Sequence, residues 1–268
     1  MGALYSRRLR VFHVVYVKRQ IPVINYSMGK VGSTSVHASI PASIPHFQIH
    51  TMDPDRIASR RREKNANTLQ HHHADQLRRH VAERDHPAKY IVMVRNPIDR
   101  NLSTFFERFK YYAGTEFTHS TRSLEELIQV FHARFEHDRP LRWFDDELER
   151  YLGFRVYRYP FPREQGHARF RHRNADILVM KVELPDTVKE SALAAFLDCP
   201  EFRLTSRNLA EDKDYATTYA AFKKQLVLGE DYVAWMLDSA YTRHFYTPDE
   251  IEICRRRWLA RLEAVSAR

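Results

Sequence analysis

Four short apolar runs that barely alternate punctuate the chain: 21–26 (Ile-Pro-Val-Ile-Asn-Tyr), 47–50 (Phe-Gln-Ile-His), 89–95 (Lys-Tyr-Ile-Val-Met-Val-Arg) and 175–182 (Ala-Asp-Ile-Leu-Val-Met-Lys-Val). Unbroken runs of this length predict strands buried on both faces, as in a parallel sheet covered by helices. Each is followed by a helical pattern. Residues 33–40 suit a helix, Asp53-Pro54 starts a polar helical stretch to Arg84, and Pro97 opens a helix with Leu102, Phe105, Phe106 and Phe109 on one face. A further helix covers 186–197. Thr247, Pro248 and Glu250 then make an N-cap, a first-turn proline and a capping box, ahead of the stripe Ile251, Cys254, Trp258, Leu262 and Val265. Residues 143–173 are rich in aromatic and basic side chains with weak periodicity and are expected to be an irregular insertion. The pattern predicts one α/β domain over residues 1–268, with a central parallel sheet flanked by helices on both faces, an N-terminal extension over 1–20 and a helical C-terminal part.

Composition narrows the function. With 268 residues, 43% of them hydrophobic, the chain can form a substantial core, and two cysteines exclude a disulfide framework or zinc ribbon as the organising element. The net charge of +9 favours anionic partners such as nucleotides, acidic glycans, nucleic acid or lipid surfaces. No apolar stretch approaches the roughly 20 residues of a membrane span, and the start lacks the features of a signal peptide, so a cytoplasmic location is expected. Gly2 and Ser6, followed by Arg7, Arg8 and Arg10, fit the loose myristoylation pattern, which leaves peripheral membrane contact open.

The chemistry is concentrated in two strand-helix junctions. Gly29-Lys30-Val31-Gly32-Ser33-Thr34-Ser35 lies between the first strand and its helix, where backbone N–H groups and the helix dipole favour an anion. Glycines let the backbone close on a phosphate, Lys30 adds a cation and the hydroxyls add hydrogen bonds. The loop is not a Walker A sequence, because Lys30 precedes Gly32 instead of following it. At the second junction Arg95 ends a strand and Ser103 sits two turns into the next helix. Ligands of open α/β sheets bind beyond the carboxyl ends of strands, so two such loops imply a ligand with two separated phosphate-like groups.

Together these loops resemble those of sulfotransferases that use 3′-phosphoadenosine 5′-phosphosulfate. The first is similar to that family's 5′-phosphosulfate loop. Arg95 through Ser103 is similar to its 3′-phosphate motif, an arginine-x-proline segment with a serine eight residues after the arginine. The resemblance implies that Gly29, Lys30, Val31, Gly32, Ser33, Thr34 and Ser35 hold the 5′-phosphosulfate, that Arg95 and Ser103 hold the 3′-phosphate, and that Arg207 reaches back to the nucleotide. The segments Trp143-Phe144-Asp145, Tyr159-Pro160-Phe161, Lys181-Val182-Glu183-Leu184 and His244-Phe245-Tyr246-Thr247 resemble a bacterial sulfotransferase-related group named for capsular polysaccharide synthesis. The last departs from that group, which ends in a lysine-tryptophan-tyrosine-serine type of tetrad. A glycan or other hydroxyl acceptor, less readily an amine, is what this implies.

Sulfuryl transfer needs in-line placement of a nucleophile, stabilisation of the leaving phosphate and a base. Lys30 suits the leaving group and His50, at the end of the second strand, suits the base, with His46 the second choice. Trp143 and Tyr159 are candidate stacking surfaces for the acceptor, Arg171 a candidate cationic contact and Glu183 a candidate hydrogen-bond partner. No metal is required. His71-His72-His73 is expected on a solvated helix or loop, since neighbouring helical side chains diverge by about 100°. A P-loop-type kinase and a non-catalytic basic binder of glycan or nucleic acid are the alternatives. The first lacks a strand-terminal aspartate for magnesium, and the second carries no nucleic-acid-binding signature.

Overall fold

The computed structural model describes residues 10–62, 68–115, 117–205 and 215–266. In chain order these form α1 (Arg10–Phe12, running on with wider turns through His13–Val17), β1 (Val23–Tyr26), α2 (Ser33–Ser39), β2 (His46–Ile49) and α3 (Pro54–Arg61). Next come α4 (Thr68–Leu77, continued by Arg78–Ala82), β3 (Ala88–Val94), α5 (Pro97–Glu107), α6 (Phe109–Ala113) and α7 (Leu124–Arg134). The helical run α8 (Arg139–Trp143, continued by Phe144–Glu149 and Arg150–Leu152) leads to β4 (His167–His172), β5 (Ala175–Lys181) and α9 (Asp186–Leu197). The chain ends with α10 (Ala216–Gln225), α11 (Glu230–Leu237), α12 (Ala240–Phe245) and α13 (Pro248–Ser266).

The chain divides into two compact units, one of Met1–Val94 with Trp143–Arg207 and one of Arg95–Arg142 with Asn208–Arg268. The first contains a single five-stranded sheet of order β2-β1-β3-β5-β4. Four strands are parallel, as the apolar runs predict, and β1, β3 and β5 are buried along most of their length. β1 lies between β2 and β3, so the chain leaves its carboxyl end to one side and returns on the other. That reversal makes the carboxyl end of β1 the switch point of the sheet, where ligands of open α/β sheets bind.

The fifth strand corrects the expectation for 143–173. Most of that segment is ordered secondary structure, helical to Leu152 and then the edge strand β4, antiparallel to β5. Phe170 is buried in β4 while Arg169 and Arg171 are exposed, the alternation of a strand with one covered face.

The second unit is helical around an aromatic core. Phe105 packs edge-on against Phe106 and Phe131 and stacks on Phe222, with Ile98, Val233 and Trp258 in the same cluster. The capping box of α13 forms as expected, with Glu250 accepting from the Thr247 N–H and Thr247 from the Glu250 N–H. Among the described residues no helix is long and apolar enough to cross a membrane. Both cysteines are free and buried.

Candidate active site

The loop between β1 and α2 takes a conformation its sequence alone would not favour. Lys30 has φ of 69° and Gly32 has φ of 78°, so two near-neighbouring residues lie in the left-handed region. Gly32 also has no room for a side chain, since a Cβ there would stand 2.7 Å from Cγ2 of Val182. Glycine is therefore needed both for its backbone angle and for a close approach to the segment that follows β5. Val31 is buried beneath the loop, Lys30 and Ser35 are half-buried, and Thr34 is exposed. The opening N–H groups of α2 have no carbonyl one turn back within the helix, which leaves donors at the switch point. Ser33 is also tied into the sheet: its carbonyl accepts from the Asn25 side chain at 2.7 Å and its hydroxyl from Gln48 at 3.2 Å. The loop thus brings a cation, hydroxyls and a position with no room for a side chain together, an arrangement suited to an anion.

β2 pairs with β1 in a register that sets Tyr26 opposite Ile49, which brings His50 beside Ser27. Nδ1 of His50 is 2.7 Å from the Ser27 carbonyl oxygen. A carbonyl only accepts, so Nδ1 carries the proton and, in the neutral ring, Nε2 is the unprotonated nitrogen. Ser27 is held in turn: its hydroxyl donates to Asn25 Oδ1 at 3.3 Å and accepts the Met93 N–H at 2.9 Å.

Behind His50 lies a residue the sequence did not flag. Glu147 on α8 is fully buried, and its carboxylate accepts from the Tyr26 hydroxyl and the Thr51 hydroxyl, each at 2.6 Å, and from the Met52 N–H at 2.8 Å. Trp143, one turn earlier, donates its indole N–H to the His50 carbonyl at 3.2 Å and packs edge-on against Tyr26. Trp143 is fully buried, so it cannot serve as a stacking surface for an acceptor; it braces the backbone that carries His50.

The other expected acceptor residues differ in setting. His46 binds the Ile44 carbonyl through Nδ1 at 2.8 Å and packs 4.7 Å from the His37 ring; burial holds its imidazole below the ordinary value, with Arg10 adding to the effect. Tyr159 stacks on Phe154 and meets Phe170, and its hydroxyl pairs with His172 at 3.3 Å. Arg171 is exposed on β4 and Glu183 is exposed just beyond β5. His71 and His73 are buried in α4, contrary to the expected solvated stretch; two positions apart they lie on different faces of the helix, so each is covered from a different side, and His73 meets Phe47 edge-on. Among the described residues no group of three histidine, cysteine or acidic side chains could hold a metal ion.

In the helical unit, Arg95 is half-buried and its backbone is clamped by Tyr241, whose hydroxyl accepts the Arg95 N–H at 3.1 Å and donates to the Arg95 carbonyl at 2.8 Å. Asn96 caps α5 by accepting from the Ile98 and Asp99 N–H groups. Ser103 is buried on α5. Asp99 pairs with Arg257 at 2.8 Å and lies 3.5 Å from Lys223. Burial pushes its carboxyl up, but Arg257, Lys223 and Arg95 outweigh that and hold it below the usual range. Three cations thus surround one carboxylate beside the Arg95 backbone. Arg207 lies outside the described residues.

Two families match the chain. One, described by inference only as capsular polysaccharide synthesis proteins, matches residues 119–247. No curated protein and no solved structure matches. The second match covers residues 14–154, which hold β1, the Lys30 loop, His50, Arg95 and Ser103, and it extends over more than half of the chain. The chain belongs to the sulfotransferase family.

Proposed function

We propose that the protein moves a sulfuryl group from 3′-phosphoadenosine 5′-phosphosulfate to a hydroxyl of a glycan acceptor, with His50 as the base. The observation that carries this reading is the hydrogen bond from His50 Nδ1 to the Ser27 carbonyl, at the root of the Lys30 loop. It fixes the tautomer in which Nε2 can take a proton, beside the switch point of the sheet.

The donor supplies an activated sulfuryl group whose leaving group is a phosphate. Lys30 and the N–H groups at the start of α2 would hold the 5′-phosphosulfate and offset charge building on the leaving oxygen. Gly32 keeps the loop closed against Val182, leaving no side chain to intrude. Arg95 and Ser103 would take the 3′-phosphate, Arg95 from a backbone that Tyr241 holds still. His50 would accept the acceptor hydroxyl's proton at Nε2, while Ser27 stabilises the imidazolium through Nδ1–H. The exposed Arg171 and Glu183 remain candidates for acceptor contact. The match to the capsular polysaccharide family supports a glycan as the acceptor class.

Calorimetric titration with 3′-phosphoadenosine 5′-phosphate, beside ATP and AMP and with and without magnesium, tests the donor. Metal-independent binding that needs the 3′-phosphate and is lost in Arg95→Ala is the expected result. Preference for magnesium and ATP would instead identify a kinase. His50→Gln should keep that binding and lose turnover by roughly 100-fold or more, since a positioned base contributes about that much.

A further inference from the structure

We propose that α1 and the turn after it form a docking surface for an anionic lipid bilayer. The helix is apolar on two faces at once. Val11, Val14 and Val15 are buried against the sheet unit, as one amphipathic stripe requires. Phe12, Tyr16 and Val17 nevertheless face outward with 42%, 38% and 59% of their surface exposed, and Ile21 follows at 53%. Of the seven exposed large apolar residues described, four fall in this one short stretch, so they are a patch and not scattered singles.

The outward rings form a continuous shelf. Phe12 and Tyr16, one turn apart, have centroids 4.9 Å apart, and both meet His80 edge-on at 5.7 Å. Tyr16 also reaches His86 at 6.3 Å. The chain that carries the shelf is basic. Residues 1–21 carry Arg7, Arg8, Arg10, Lys18 and Arg19 and no acidic residue. Burial holds the His80 imidazole below the ordinary value, with Arg84 and Arg79 adding to the effect and Asp75, which pairs with Arg79 at 3.2 Å, opposing it.

A partner must therefore be apolar at its centre and negative at its rim. A leaflet with anionic headgroups offers both, with aromatic rings settling at the headgroup boundary and arginines and lysines reaching phosphates. A second copy of this chain fits worse, because a two-fold contact through the patch would set its cations against their own copies.

The full chain is spun with vesicles of phosphatidylcholine alone and of phosphatidylcholine with one third phosphatidylglycerol. Sedimentation with the anionic vesicles only, weakened about tenfold or more in the Phe12→Ser, Tyr16→Ser, Val17→Ser variant, is the expected result. These side chains are exposed, and an unchanged melting temperature would show that the variant folds. A Val17→Cys variant gives a second readout: both native cysteines are buried, so a polarity-sensitive dye reports from position 17, and its emission should shift to the blue on anionic vesicles. No sedimentation, sedimentation unchanged in the triple variant, or no spectral shift would overturn the proposal. So would a concentration-dependent dimer that the triple variant abolishes without any vesicle binding.

Discussion

The Glu147 carboxylate accepts the Tyr26 hydroxyl at 2.6 Å, which joins α8 to the last residue of β1. The same carboxylate holds Thr51 and Met52, the two residues after His50. One buried group thus ties the strand that leads into the Lys30 loop to the strand end that carries His50. Burial, with Glu147 second, keeps the Tyr26 hydroxyl protonated far above its ordinary range, so it remains a donor at any working pH. Glu147→Ala leaves three buried donors without this acceptor and should cost about 3–5 kcal/mol, on the scale of removing one member of a buried charged network. Tyr26→Phe removes one donor and should cost about 1–2 kcal/mol. Urea unfolding measures both, and a loss under about 1 kcal/mol for Glu147→Ala would show that the network is dispensable.

Gly32→Ala should weaken binding of 3′-phosphoadenosine 5′-phosphate about tenfold or more, because the new methyl group strains a left-handed backbone and strikes Val182. The two causes separate. Val182→Ala in the Gly32→Ala background removes the clash but leaves the backbone strain, so stability should recover in part while affinity stays low. Full recovery of both in the double variant would mean that the left-handed angle is not required.

Tyr241→Phe should raise the dissociation constant of 3′-phosphoadenosine 5′-phosphate about five- to tenfold, since each lost hydrogen bond to the Arg95 backbone is worth about 1 kcal/mol. The effect should vanish in an Arg95→Ala background, because the tyrosine acts only through the arginine. Additive losses in the double variant would assign Tyr241 a separate role.

Why some of this architecture was legible in the chain, and some not, has physical causes. β1, β3 and β5 are covered on both faces, so they appear as apolar runs that need no neighbour to explain them. β4 is an edge strand in which Phe170 alone faces a core, and its flanking arginines look like a basic cluster until Asp176 and Phe196 are placed beside Arg169. Lys30, Gly32 and His50 follow the ends of β1 and β2, and the apolar runs before them were enough to place them there. Trp143 was visible but misread, because an aromatic residue in a basic stretch is equally suited to stack on a ligand or to pack inside. Glu147 was hidden among Asp145, Asp146 and Glu149, which resemble one solvated acidic face. Its signal lay in the phase: Phe144, Glu147, Leu148 and Leu152 recur at the helical spacing of a buried stripe, and a carboxylate on such a stripe needs donors.

Acid should destabilise the protein through the histidines behind the Lys30 loop. His37, on α2, packs 4.7 Å from His46, and its buried Nδ1 has no hydrogen-bond partner among the described residues. Burial lowers its pKa from 6.5 to about 4, with His46, Arg10 and His73 adding repulsion. The folded state therefore binds fewer protons than the unfolded chain between about pH 6.5 and 4. Stability is complete above about pH 6.5 and falls as the pH drops toward 4, where His37 protonates in the fold as well. Allowing for the part of the ring that solvent still screens, the loss over that window should be about 1–2 kcal/mol. His37→Leu removes the titrating group and keeps an apolar side chain in the pocket, so its stability should vary less between pH 7 and 4.5 and should at least equal that of the parent at pH 5. Thermal unfolding across that range measures both slopes. Equal slopes for the two proteins would place the acid sensitivity elsewhere in the fold.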